Sequence, residues 1–231
     1  MDKKTTQSEI SSFVGKLLRD NFGKGPGSVF VSIAKPYITI YLKNFISPME
    51  SVLLKQGQRE TVERTRDLLM NTLIPEIKAH ILVTTGMQIN EFYYDWAMHN
   101  HAGMFVCVAS ESNELAEDPP NEYDQKELFE NELIRVSKRV EKAPEQVDSW
   151  VVNARTLIAE RKGILVPIEK ELIRIGKEET LKLAKRSLEK NFLHNNDRFE
   201  DILNTKIIDV FVDWSFNQDK SYTVFILNKI K

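Results

Sequence analysis

The chain has 231 residues, 42% hydrophobic and 29% charged, with a formal net charge of −2: room for two domains of about a hundred residues each, with the make-up of an ordinary soluble globule. Residues 1–109 carry 12 basic and 10 acidic side chains and residues 124–231 carry 20 and 19, so neither half has the cationic excess of a duplex-binding domain. No apolar run approaches the roughly 20 residues of a membrane span, and the start MDKKTTQSEI lacks the apolar core of a secretory signal; a cytoplasmic protein is expected, meeting a membrane only through a partner.

Ile10, Phe13, Val14, Leu17 and Leu18 share one helical face, predicting an amphipathic helix that ends near Asn21, with Ser8 as its cap. Gly23-Lys24-Gly25-Pro26-Gly27 cannot continue it and is a glycine-rich loop. Val29, Val31 and Ile33, a turn at Ala34-Lys35-Pro36, then Ile38, Ile40 and Leu42 read as a hairpin. Ser47-Pro48-Met49-Glu50 has the form of a capping box, which starts a short helix that stops at Gly57. Val62, Leu69, Leu73, Ile77 and Ile81 predict a long helix from about Glu60, kinked where Pro75 removes a main-chain hydrogen bond and closed by Thr85-Gly86. Ile89–Trp96 and Met104–Val108 predict a second hairpin. Tyr37, Thr39 and Tyr41, and likewise Phe92 and Tyr94, are expected on the opposite parity of their strands from the core.

Much of this order is then written again. Pro48, Glu50, Gly57, Glu60 and Thr61 recur as Pro167, Glu169, Gly176, Glu179 and Thr180, each 119 positions on, and Asp95-Trp96 recurs as Asp213-Trp214, 118 on. Between the copies, residues 111–123 are acidic, proline-containing and poor in apolar side chains, which reads as a linker. The second copy predicts a helix through Phe129, Leu133, Val136 and Val140, strands near Val147–Val152 and Thr156–Ala159, and a short helix from Pro167. A long helix from Glu179 and strands at Ile207–Trp214 and Tyr222–Leu227 complete it. His194-Asn195-Asn196-Asp197 stands where the first copy has Pro75, so both long helices are expected to bend there. The fold class is α+β: two tandem α-β-β-α-α-β-β units, 1–110 and 124–231, each a four-stranded antiparallel sheet with helices on one face.

Gly23-Lys24-Gly25-Pro26, the Ser47-Pro48-Met49-Glu50 start, Gly57 with Arg66 downstream, and Thr85-Gly86 before Asp95 together resemble the MpsC-like family, a bacterial domain of unknown function named for an association with membrane-potential-generating systems. The resemblance covers about the first 110 residues, and the second copy in degraded form. There Ala143 and Glu145 replace Gly25 and Gly27, and Val166 replaces the capping Ser47. It implies an auxiliary role beside ion or inorganic-carbon transport and supplies no catalytic residues.

Gly23, Lys24, Gly25, Pro26 and Gly27 form the candidate ligand loop, since backbone N–H groups there could face an anion; a phosphate loop, however, leads from strand to helix, and this one runs from helix to strand. His99 and His101 near Cys107 read as a solvated hairpin tip without a metal, and Cys107, in an apolar run, reads as a small buried hydrophobe. Ser47, Pro48, Glu50, Gly57 and Asp95, with Pro167, Glu169, Gly176 and Asp213, form the structural motif. The duplicated carboxylates are explained by capping and by local hydrogen bonding, with no catalytic constellation. Two functions are weighed: a non-enzymatic interaction protein, its units packed as a pseudo-dimer and its partner a membrane transport component, with no cofactor; or a small-molecule or anion sensor using the loop around Lys24.

Overall fold

The computed structural model describes residues 3–110 and 121–228, which divide into two compact units, Met1–Pro119 and Pro120–Lys231. Residues 111–120 of the expected linker lie outside the described residues. Of its end, Asn121 forms an antiparallel bridge with Val151 and the Tyr123 hydroxyl is 2.7 Å from that of Ser149, both within the second unit.

The first unit runs α1 (Lys3–Phe22), β1 (Ser28–Ala34), β2 (Tyr37–Lys43), α2 (Pro48–Lys55), α3 (Arg59–Thr85), β3 (Ile89–Ala97) and β4 (Ala102–Ala109). Its sheet is antiparallel throughout, in the order β1-β2-β4-β3. Ile10, Val14 and Leu18 of α1 and Val62, Met70, Leu73, Ile77 and Ile81 of α3 close one sheet face, meeting Ile38, Ile40, Leu42, Phe105 and Cys107. Cys107 is fully buried in that layer. Thr6 extends the buried stripe of α1 upstream, so the helix is already formed at Lys3 and Ser8 lies inside it instead of capping it.

The second unit repeats the plan: α4 (Lys126–Val140), β5 (Gln146–Asn153), β6 (Thr156–Lys162), α5 (Pro167–Arg174), α6 (Glu178–His194), α7 (Arg198–Leu203), β7 (Ile207–Ser215) and β8 (Lys220–Leu227), in the sheet order β5-β6-β8-β7. Gly57 and Gly176 end α2 and α5 with φ of 73° in each case, the left-handed region a side chain resists.

The long helix of the first unit contains Pro75 within one element, and its counterpart, expected to bend at the same place, stops at His194 and resumes as α7 after Asn195-Asn196-Asp197. One lost hydrogen bond is tolerated in a packed 27-residue helix; consecutive Asn and Asp side chains compete for the backbone and end one. Phe92 and Tyr94 also face the helices, with Trp96, not the opposite side. A β-bulge between Ile89 and Glu91 inserts a residue and reverses the parity that alternation from Ile89 implies. The same bulge falls between Ile207 and Asp209 in the second unit.

Candidate functional site

Each unit buries charge where its short helix meets the long one. In the first, Ser47 and Glu50 make the complete capping box: Ser47 N–H donates to Glu50 Oε2 at 2.8 Å, and Glu50 N–H to Ser47 Oγ at 3.3 Å. The same carboxylate then receives Arg66 from α3 bidentately, Nε to Oε1 at 2.7 Å and Nη2 to Oε2 at 2.9 Å, while Nη2 also donates to the Phe45 carbonyl at 2.9 Å. Arg66 is 1% exposed, and its guanidinium lies 4.7 Å from the Phe45 ring centroid and 4.6 Å from that of Trp96. Burial pushes the Glu50 carboxyl up, but the bonds and charge of Arg66 and the Ser47 N–H outweigh it and hold the group below the usual glutamate value.

In the second unit Glu169 still accepts from the Val166 N–H at 2.9 Å, but valine offers no oxygen in return, so half of the box survives. Lys185, 119 positions after Arg66, donates to Glu169 Oε1 at 2.8 Å and also pairs with Glu141 at the end of α4. Behind it Arg161 of β6 reaches Glu189 of α6 at 2.5 Å, with Nε on Ser221 Oγ and Nη1 on Ser137 Oγ, both at 3.0 Å. The Trp214 indole N–H donates to Glu189 Oε1 at 3.0 Å. Arg161, Lys185 and Glu189 are each 3% exposed or less, so this cluster has been taken out of water almost whole.

The sequence named Glu50, Arg66 and Glu169 but not the Glu50–Arg66 pair, and it missed Arg161, Lys185, Glu189 and Glu141. A signal was present: at the shared spacing of 119, Leu42 becomes Arg161 and Met70 becomes Glu189, opposite charges entering two core positions together.

The remaining predicted residues have local roles of their own. Gly23 takes φ of 72° as α1 ends. A Cβ on Gly25 would meet Arg19 Cβ and the Gly15 carbonyl at 3.1 Å, and one on Gly27 would meet Asn44 Cβ at 3.0 Å. These glycines serve helix termination and close approach, and Pro26 and the exposed Lys24 lie between them. Asp95 and Asp213 each accept from the N–H of the following Trp, at 2.7 and 2.9 Å, on strands that form a sheet edge; Asp213 also pairs with Lys182 at 2.8 Å. Residue His101 holds the left-handed corner of the β3–β4 turn with φ of 50°, and no metal-holding group of His, Cys, Asp or Glu occurs among the described residues.

The profile of the MpsC family, described as "Na+-translocating membrane potential-generating system (MpsC)", matches residues 2–111 and again 126–229. The chain belongs to the MpsC family, with two copies of its domain. It is similar to the uncharacterized protein YbcI of Bacillus subtilis (strain 168), 30% identical over 115 residues, which span 49% of this chain and 90% of that relative. No solved structure matches. Among the described residues no helix is long and apolar enough to cross a membrane.

Proposed function

We propose that the chain is a non-enzymatic accessory protein of bacterial ion or inorganic-carbon transport, which binds a protein component of such a system and reaches the membrane through it. The observation that carries this reading is a repeated apolar prominence. Met49 and Ile168, 119 positions apart in the sequence, are each 66% exposed in the first turn of α2 and α5. Val52 lies beside Met49 on α2, 53% exposed. A lone exposed apolar side chain is ordinary, but one repeated in both copies, on helix starts held rigid by Glu50 and Glu169, is what a pre-organised contact offers a partner. The non-enzymatic part rests on the duplicated carboxylates, all four of which are engaged by backbone N–H groups.

A photo-crosslinking residue placed at 49 or 168 in cells tests it. Adducts with a membrane transport protein are expected at both positions, and lost when the other position carries aspartate. Adducts confined to soluble proteins, or insensitive to the aspartate, would contradict the reading.

A further inference from the structure

Around Lys185 the second unit gathers more carboxyl groups than cations. Among the described residues, Glu141, Glu169 and Glu189 make ion pairs only with Lys185 and Arg161. Two neighbouring cations are matched elsewhere, Lys182 with Asp213 at 2.8 Å and Lys142 with Glu145 at 3.4 Å, and α6 also buries Arg186 and Lys190. Fully ionised, the cluster would hold an uncompensated negative charge away from water, which is less favourable than keeping one proton. Geometry decides where the proton rests. Glu169 takes Lys185 and the Val166 N–H, and Glu189 takes Arg161 and the Trp214 N–H. Glu141 shares the Lys185 ammonium with Glu169 and Glu189 and stands directly after the last residue of α4, where the helix carbonyls disfavour a negative charge.

We propose that the second unit carries one dissociable proton, held by Glu141 and donated to Glu189, and that its loss in mildly alkaline solution loosens the end of α4 and the loop through residue 145. Burial, then the charge of Glu189, push the Glu141 carboxyl up to about 8, with Lys185 opposing. Glu189, though burial raises it, is held below the usual value by Arg161 and by the hydrogen bond from Glu141. Because the folded protein binds this proton more tightly than the unfolded chain, the stability it confers is complete below about 4.5 and drains away as pH rises to about 8. The first unit supplies the control: the lowered Glu50 contributes stability that is lost only as pH falls into the acid range, so it is level from neutral to mildly alkaline pH.

Hydrogen exchange on the whole chain, corrected for intrinsic rates, reads the two units separately. Between pH 6 and pH 8, protection across residues 137–145 should fall by roughly fiftyfold, about ninefold in the first pH unit and about fivefold in the second as the proton reaches half-loss, while residues 18–26 stay level. Glu141→Gln, which keeps a donor without the charge, should hold its pH 6 protection at pH 8. Level protection in the native protein, or an equal fall in the variant, would overturn the proposal. Carboxyl carbon NMR of the native protein decides independently of whether the variant folds: one glutamate with a midpoint near 8 is expected, and titration of every glutamate in the usual carboxylate range would overturn it.

Discussion

Where the first unit places Leu18, Phe22, Leu42, Met70 and Gly103, the second places Ser137, Glu141, Arg161, Glu189 and Ser221. The first set closes over the Glu50–Arg66 pair with apolar and aromatic surface; Phe22, Phe45 and Trp96 stack around the guanidinium. The second set is itself a polar network, and Trp214 turns its N–H into that network. Yet the strand order, the bulges and the left-handed glycine after the short helix, Gly57 and Gly176, are the same in both. The plan is therefore indifferent to polarity at this end of the core as long as each buried charge meets an opposite one and hydroxyls enter beside them. What the second unit surrenders is dispersion and transfer energy; what it acquires is a group that can titrate.

Breaking one member of either network should have the largest effect. Arg66→Met leaves a buried carboxylate at Glu50, and Glu189→Met strands Arg161; each should destabilise its own unit by about 3–5 kcal/mol, measured by denaturant titration with exchange resolving the units. Arg161→Leu with Glu189→Met installs the first unit's residues and sharpens the comparison. The pair should be neutral or up to about 4 kcal/mol stabilising, so the two changes couple strongly in a double-mutant cycle. A double variant as damaged as the sum of its parts would show that the two ends are not interchangeable.

A smaller effect is expected at Gly103, which lies against Trp96. An added Cβ there would come within 2.6 Å of the indole ring. Gly103→Ala should cost about 1–3 kcal/mol by overpacking, although the second unit carries Ser221 at the same place. There the Trp214 N–H is drawn to Glu189 and the serine hydroxyl receives Arg161, so the extra atoms have an assigned space. Normal stability of Gly103→Ala would mean that Trp96 is free to move as Trp214 has.

Most of the fold was legible because it is written in local chemistry. The Ser47 capping box, Gly57, Gly86 and the alternating strands fix their own elements, and repetition at 119 positions read the plan twice. The bulges were not legible: nothing local to Ile89-Asn90-Glu91 signals an extra residue, and it is pairing with β4 that reveals it. The charge cluster was half-legible. Its members lie on α4, β6, α5 and α6, far apart in sequence, and only a position-by-position comparison of the copies shows that Leu42 and Met70 changed together.

The finest test of the comparison lies at the two caps. Ser47 Oγ accepts the Glu50 N–H in the first unit, and Val166 cannot do so in the second. Ser47→Ala should cost about 1 kcal/mol, because it strands one N–H at the start of α2 while Glu50 keeps its bonds to Arg66. Val166→Ser should return less than that: the hydroxyl would complete the box, but the partly buried valine methyls give up transfer energy of about 0.8 kcal/mol for each carbon removed. A gain at Val166 equal to the loss at Ser47 would mean that the valine packs against nothing of consequence. No loss at Ser47 would mean that the Glu50–Arg66 pair alone fixes the start of α2, and that the first copy needs a serine cap no more than the second, which has none.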